Sequence, residues 1–592
     1  MDLSIATLRE QYRSGDLTPA ALMAHIRQRI KEDDPKIWIH PLSQEELAPY
    51  LQRLTEESPE SLPLYGIPFA IKDNIDLAGI PTTVACPEYA YTPERSAYVV
   101  KRLIEAGAIP VGKTNLDQFA TGLSGTRSPY GIPSNAFDPR YIPGGSSSGS
   151  AVAVAKGMAS FSLGTDTAGS GRVPASLNNL VGFKPSRGLL STRGLVPACR
   201  SLDCISILSL SSKDARSVLD IAAHYDEEDP FAVDFNQLPP RKTNTIGIPR
   251  RDQLEYFGDP HTERIFRLAC MYLEEIGCTV KEIDIAPFRE VAQLLYEGPW
   301  LAERYLALED IFKERPEILH PVTREIIEQG NKLSAVDFFR TQYQLASLKR
   351  ITDRILNDLD AVMTPTCGIV PTIQQMLNDP IRLNTQLGYY TNFMNLLNLS
   401  AVAVPVGIRP DRIPHGITFF APAGFDRSLL DLAGQFHART GLTMGAGDTP
   451  VPPAEKQEAL TDTPATTTVV VCGAHMQGMP LNHQLTDCGA VFVEATQTAP
   501  EYRFFALNGE PPRPALVRSE HSGEAIDVEV WQMPLEAVGR FLQGIAAPLG
   551  LGRVSLKGGR ESMGFIAESG ALRDTIDITE FKSWRKYQES LA

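Results

Sequence analysis

Apolar residues recur along this chain with two different periods. Near the start, Leu22, Ile26 and Ile30 share one helical face, behind Thr18 as an N-cap and Pro19 at the first helical position. IPFAIK (67–72) is an apolar run of strand length closed by a lysine, and FSLGTD (161–166) reads as a buried strand entering a turn. Between them, GGSSSGS (144–150) leads into AVAVAKGMA, whose small residues predict a closely packed helix. The helical period returns over roughly 255–360 in three stretches: HTERIFRLACMYLEEIG, VAQLLYEGPWLAERYLALEDIF and VDFFRTQYQLASLKRITDRIL. AVMTPTC (361–367) and LSAVAVPVGI (399–408) are strand-like again. Helices and strands mixed throughout predict an α/β fold.

The pattern stops over 444–467, MGAGDTPVPPAEKQEALTDTPATT, which has almost no large apolar residues and reads as a linker. Beyond it, TTVVVCGAH, AVFVEA, YRFFALNG, ALVRS and AIDVEVWQM predict short strands. The expected organisation is therefore a catalytic domain over 1–443, a linker over 444–467 and a smaller strand-rich domain over 468–592.

Composition narrows the function. The 592 residues are 43% hydrophobic, ample for a large core, and the net charge of −15 disfavours non-specific binding to phosphate backbones. The N-terminus has no signal-peptide core, and no apolar run reaches about 18 residues, so neither secretion nor a membrane span is expected. The eight cysteines include no C-x-x-C pair and read as reduced thiols of a cytoplasmic protein. No His/Cys ligand set, phosphate loop or dinucleotide fingerprint is present, so neither a metal nor a cofactor is expected.

Three segments carry candidate chemistry. In GTDTAGSGRVPAS, Ser170 stands between Gly169 and Gly171. Such a turn can aim the backbone amides of Thr167, Ala168, Gly169 and Ser170 at one point, as an oxyanion hole requires. In PGGSSSGS, Ser146, Ser147, Ser148 and Ser150 follow a proline and precede a small-residue helix, which suggests an ordered loop. Lys72 has Ile67, Phe69 and Ile71 as neighbours. Moving a lysine pKa from ~10.4 to near 7 takes about 4.6 kcal/mol of desolvation and would make it a general base. Each segment alone is more simply an ordinary Gly/Ser turn, a flexible linker or a surface charge. The ten histidines show no motif tied to these segments, so a Ser-His-Asp triad has little support.

Together the segments resemble the amidase-signature family in identity, order and spacing, down to Gly164–Ala175 and LNNLVGFKPSRG (177–188). The resemblance covers roughly residues 1–445. It implies a mixed central β-sheet covered by helices, with Ser170 as nucleophile, Ser146 as a bridging serine in a cis peptide, and neutral Lys72 as base. Asp166, Thr167 and Arg172 are expected to support the turn. FATGLSGTRSPYG (119–131) resembles the allophanate hydrolases within that family, where a tyrosine and an arginine eight residues apart on a helix hold the substrate carboxylate. Tyr296 and Arg304 match, although Pro299 lies between them, and Gly122 matches a residue whose backbone approaches the substrate. The competing reading pairs Arg304 with Glu303 or Glu309. CGAHMQGMPLNHQL (472–485) resembles the extra domain of long allophanate hydrolases, itself related to γ-glutamyl cyclotransferase folds.

The resemblance implies that the first domain releases ammonia from allophanate and that the second promotes decarboxylation of the N-carboxycarbamate product. His475 is the candidate there, with His483 behind it. It also implies a homodimer, and a urea carboxylase or an s-triazine pathway as the source of substrate. The alternatives are an amidase for another small amide, an amidotransferase component passing ammonia to a tRNA-binding partner, or an idle scaffold. The complete Lys72, Ser146, Ser170 set speaks against the last.

Overall fold

Continuous apolar runs bounded by turn residues become strands buried on both faces, and a sheet built from them needs cover on both sides. The computed structural model describes residues 1–234, 244–453, 466–508, 512–519, 521–568, 572 and 575–591. It divides into two units, Met1–Glu455 and Lys456–Ala592.

The first unit holds an eleven-stranded sheet. Its strands are β1 (Trp38–Pro41), β2 (Pro68–Lys72), β3 (Ile109–Thr114), β4 (Phe161–Thr165), β5 (Val181–Lys184), β6 (Ile205–Ser209), β7 (Thr245–Pro249), β8 (Thr279–Ile283), β9 (Ala361–Pro365), β10 (Leu399–Ile408) and β11 (Pro414–Pro422). In space the order is β1-β3-β2-β4-β6-β5-β10-β11-β9-β7-β8. β2 runs parallel to β3 and β4, whereas β4–β6, β5–β6, β5–β10 and β10–β11 are antiparallel, so the sheet is mixed. Every residue of β2, β3, β4, β5, β6 and β9 is buried.

The N-terminal helix forms as its cap predicts: Pro19–Glu32 is helical, and the Thr18 side chain accepts a hydrogen bond from the Ala21 amide. The small-residue helix is Ser148–Ala155, buried at every position. Its composition has a steric cause, because a Cβ on Gly149 would lie 2.2 Å from the Ile37 carbonyl oxygen.

Two expectations need correction. The stretch VAQLLYEGPWLAERYLALEDIF is not one helix. It is broken into Ala286–Glu297, Trp300–Ala307 and Glu309–Glu314. Gly298 is extended (φ −111°, ψ −174°) and Pro299 has no N–H to continue the ladder, so Tyr296 and Arg304 stand on two successive helices. The linker also does not begin at 444. Met444 is buried, the Asn179 Nδ2 donates to the carbonyls of Thr443 (2.6 Å) and Gly445 (2.8 Å), and the Ala446 amide donates to Ala155 O (2.9 Å). Those contacts fasten the end of the first unit to its own core. Residues 454–465 of the expected linker lie outside the described residues.

The second unit has a five-stranded sheet in the order β13 (Val491–Gln497), β16 (Asp527–Pro534), β12 (Thr466–Val471), β18 (Glu561–Ala567), β17 (Leu549–Ser555). A three-stranded sheet sets β14 (Tyr502–Leu507) between β15 (Arg513–Arg518) and β19 (Ile576–Asp577). With the helices Leu535–Gln543 and Trp584–Leu591 it is an α+β unit rich in strands. Val470, Phe504, Val528 and Trp584 share one of its cores.

Candidate active site

The amine at the end of β2 is the centre of the site. Lys72 is fully buried, and its Nζ donates to Ser146 Oγ (2.7 Å) and to Thr165 Oγ1 at the end of the neighbouring β4 (2.6 Å). Loss of hydration pushes its pKa down to about 7, against the opposing pull of the Asp117, Asp203 and Asp166 carboxylates.

Ser146 follows a cis Gly145–Ser146 peptide. The other serines of the run have different work. Ser147 Oγ accepts from the Thr165 amide (3.3 Å), Ser148 Oγ donates to Asn115 O (3.4 Å) and Ser150 Oγ meets Thr114 Oγ1 (2.7 Å). Among the four, Ser146 meets the amine and the rest fix the loop and the helix start. The Ser147 amide donates to the Ser170 carbonyl (3.4 Å), which joins this loop to the glycine turn.

Asp166 organises that turn. Its carboxylate accepts from the amides of Gly169 (2.7 Å) and Gly171 (3.1 Å) and takes both Nε (2.8 Å) and Nη2 (2.9 Å) of Arg172. This ion pair is buried on both sides, and the arginine holds the carboxyl below its usual range against the effect of burial. Thr167 Oγ1 donates to Asp203 (2.5 Å), so all three supporting residues expected from the sequence bond within the turn or to its flank. Thr391 Oγ1 donates to Ala168 O (2.6 Å), and Asn395 Nδ2 donates to Asp166 O (2.7 Å), bracing the turn from behind. Gly169 has φ +124°, and a Cβ there would lie 2.4 Å from Thr391 Oγ1.

One expected oxyanion donor is spent. The Gly169 amide is committed to Asp166, because the carboxylate needs it to close the turn. The amides of Thr167, Ala168 and Ser170 have no acceptor among the described residues. Ser170 Oγ lies 3.5 Å from Gly122 O, so the sequence-selected loop does reach the nucleophile candidate. A Cβ on Gly122 would fall 2.6 Å from Asp117 Oδ2, which explains the glycine.

Arg304 is 2% exposed. Its Nη1 donates to Thr121 Oγ1 (3.2 Å), and its guanidinium lies over the Tyr296 ring, 5.8 Å from the centroid. The helix break thus still brings the two residues together. The competing acids are occupied elsewhere: Glu303 accepts from Ser201 N (2.7 Å) and Oγ (2.6 Å), and Glu309 pairs with Lys313 (2.8 Å). No carboxylate among the described residues stands within ion-pair distance of Arg304.

Sequence reasoning missed several residues. Thr165 shares the lysine, Asp203 accepts from Thr167 Oγ1 and from the Ala198 and Cys199 amides, and burial pushes its carboxyl up to about 6. Asp117 accepts from the amides of Gly125 (2.9 Å) and Arg127 (2.9 Å), shaping the substrate loop. Asp203 has no local motif to betray it, whereas Arg127 sits inside the loop that the sequence singles out.

In the second unit, His475 follows β12. Its ring stacks on Phe565 (5.1 Å between centroids) with Phe541 edge-on, and Nε2 meets Gln484 Oε1 (2.9 Å). Burial holds its pKa below the ordinary value. His483 is exposed and bonds the Pro480 carbonyl (3.0 Å). Among the described residues no group of His, Cys, Asp or Glu is arranged to hold a metal, and no helix is long and apolar enough to cross a membrane.

The chain sets a buried low-pKa amine on a serine beside a glycine turn whose amides have no acceptor among the described residues, an arrangement that fits acyl transfer from an amide. It belongs to the amidase family, whose model matches residues 21–430, and residues 467–589 match the allophanate hydrolase C-terminal domain. Urea amidolyase of Saccharomyces cerevisiae is 42% identical over 94% of this chain. The chain spans about a third of the length of this and the similar Lachancea kluyveri relative (31% and 32%). The allophanate hydrolase structure of Kluyveromyces lactis superposes with a TM-score of 0.74 at 38% identity, covering 99% of both chains. A glutamyl-tRNA(Gln) amidotransferase component from Lacticaseibacillus paracasei is 31% identical, over 74% of this chain and 96% of its own.

Proposed function

We propose that this chain hydrolyses allophanate. Ser170 attacks the terminal amide carbonyl, Ser146 passes the proton to neutral Lys72, and the amides of Thr167, Ala168 and Ser170 hold the oxyanion. Lys72 returns the proton through Ser146 to the leaving ammonia, and water then releases N-carboxycarbamate from Ser170. Gly122 lines the substrate beside the nucleophile, and Tyr296 with Arg304 receives its carboxylate. The observation that carries this reading is Arg304, a buried guanidinium without a carboxylate partner among the described residues, in the same loop system as Ser170. A neutral amide would leave that guanidinium without an ion-pair partner.

In the second unit His475, neutral and set among Phe565, Phe541 and Gln484, promotes loss of carbon dioxide from the N-carboxycarbamate. The length of the urea amidolyase relatives supports a urea carboxylase as the source of allophanate. Eight free cysteines fit action in the cytoplasm. The exposed apolar row Val336, Phe338, Phe339 and Tyr343 supports self-association as a homodimer.

Ammonia release from allophanate, malonamide and glutamine tests the substrate. Allophanate should be preferred, and Arg304→Ala should cut its turnover by about 10- to 100-fold more than that of malonamide, the worth of a charge-assisted hydrogen bond. Ammonia from glutamine without ammonia from allophanate would instead favour the amidotransferase reading.

A further inference from the structure

Arg304 is not the only buried cation beside Thr121. Arg127 is 1% exposed; its Nη1 donates to the Thr121 carbonyl (2.8 Å) and its Nη2 to the Pro380 carbonyl (2.9 Å). Thr121 therefore carries a guanidinium on its carbonyl and another, that of Arg304, on its hydroxyl. Neither arginine has a carboxylate within ion-pair distance among the described residues, and the Nε of each is buried without an acceptor. The nearest acid of the loop, Asp117, spends its oxygens on the Gly125 and Arg127 amides. Asp203, the next, accepts from Thr167 Oγ1 and two backbone amides. The two guanidinium groups repel each other, and the carboxylates that attract them, Asp117 for Arg127 and Asp203 for Arg304, are not in ion-pair contact with them. Thr121 is thus bracketed by two buried guanidinium groups, neither of them tied to a carboxylate by an ion pair among the described residues.

We propose that Arg127 is a specificity-determining residue whose positive charge, added to that of Arg304 across Thr121, selects substrates that become dianionic as they react. The inference rests on the allophanate reading above. Allophanate enters with one carboxylate. Attack on its amide carbonyl puts a second negative charge on the oxyanion; loss of ammonia leaves an ester on Ser170, and its hydrolysis gives a product with two carboxylates, so that allophanate and water become N-carboxycarbamate dianion and ammonium. A neutral amide such as malonamide develops only the oxyanion. Arg127 holds backbone carbonyls and acts on the substrate by its field, so it is a positioning and selecting group, not a reacting one. Its charge is felt most where the negative charge of the transition state is greatest.

The test is the ratio of kcat/KM for allophanate to that for malonamide in full-length Arg127→Gln and Arg127→Lys. Both can still donate to one carbonyl, but only the lysine can carry charge. Arg127→Gln should lower the ratio by about 10- to 100-fold, and Arg127→Lys should keep it nearer the wild-type value at about pH 6, where a buried lysine still carries its proton. A buried lysine also loses its proton as pH rises, so the ratio for Arg127→Lys should fall with increasing pH while the wild-type ratio stays level; the titration of Lys72 cancels in the ratio. That second readout stands even if the glutamine variant fails to fold. Parallel losses on both substrates, with a ratio independent of pH in the lysine variant, would make Arg127 a loop fastener and overturn the inference. Wild-type protein that releases no ammonia from allophanate would instead remove the substrate reading itself.

Discussion

The acidity of Lys72 sets a measurable limit on the reaction. Its pKa falls from 10.5 to about 7 because the ammonium form is cut off from water, a change worth about 5 kcal/mol. An ordinary lysine at pH 7 is neutral in about one molecule in 3,000, whereas here about half are. If the neutral amine is the base, kcat/KM should rise about tenfold per pH unit below 7 and level off above it. Steady-state ammonia release from allophanate between pH 6 and 10 gives the profile. The acids around the amine predict how it moves. Asp203 pulls the Lys72 pKa upward, so Asp203→Asn should shift the midpoint to lower pH. The substitution is chemically mild, because the asparagine oxygen can keep the Ala198 and Cys199 amides and its nitrogen can donate to Thr167 Oγ1. A wild-type rate still climbing tenfold per unit beyond pH 9, or one level from pH 6 upward, would refute a neutral Lys72 as base.

The same burial has a cost in stability. Below pH 7 the amine is protonated folded or unfolded, and the full penalty applies; from pH 7 to 10.5 only the unfolded chain keeps the proton, so the fold gains stability as pH rises. Relative to Lys72→Met, wild type should therefore gain about 2 kcal/mol between pH 7 and 9 in denaturant unfolding of the amidase unit, and a constant difference would count against the buried amine. Gly169→Ala should lose nearly all activity while the protein stays folded, since its Cβ meets Thr391 Oγ1 at 2.4 Å in a φ +124° backbone; activity within twofold of wild type would mean that the turn is less constrained than its contacts require. His475→Ala should leave ammonia release intact and slow carbon dioxide release, followed by paired assays of the two gases. Ammonia release lost from a folded variant would break that division of labour.

Much of this arrangement is legible in the sequence because the groups proposed to react lie on short, regular elements. Lys72 closes an apolar run, and that run is a buried strand; Ser170 is flanked by glycines, and the turn needs them. The legibility fails where distant segments meet. Nothing near Asp203 announces that it caps Thr167, 36 residues away, and nothing in TNFMN (391–395) announces that Thr391 and Asn395 hold the turn from behind. The glycine turn offers four amides by position, but position does not tell which are already used, and Asp166 takes Gly169. Around Tyr296 and Arg304 the apolar period continues across Gly298–Pro299 although the hydrogen-bond ladder does not, so the pattern reads as one helix where there are two.

That break bears on how one scaffold serves different amides. The groups proposed to handle the proton sit on the sheet and its immediate loops: Lys72 on β2, Ser146 in the loop before a buried helix and Ser170 on a turn locked by an ion pair. The groups proposed to meet the substrate's far end come from outside the sheet, namely the 121–127 loop and two short helices joined at Pro299. A change in that loop or helix pair moves a cation without moving the amine. Such a separation would let the amine and its serine stay in place while the amide they act on changes. It also explains why removing a pocket arginine should alter substrate choice, whereas removing Lys72 should abolish the reaction for every amide alike.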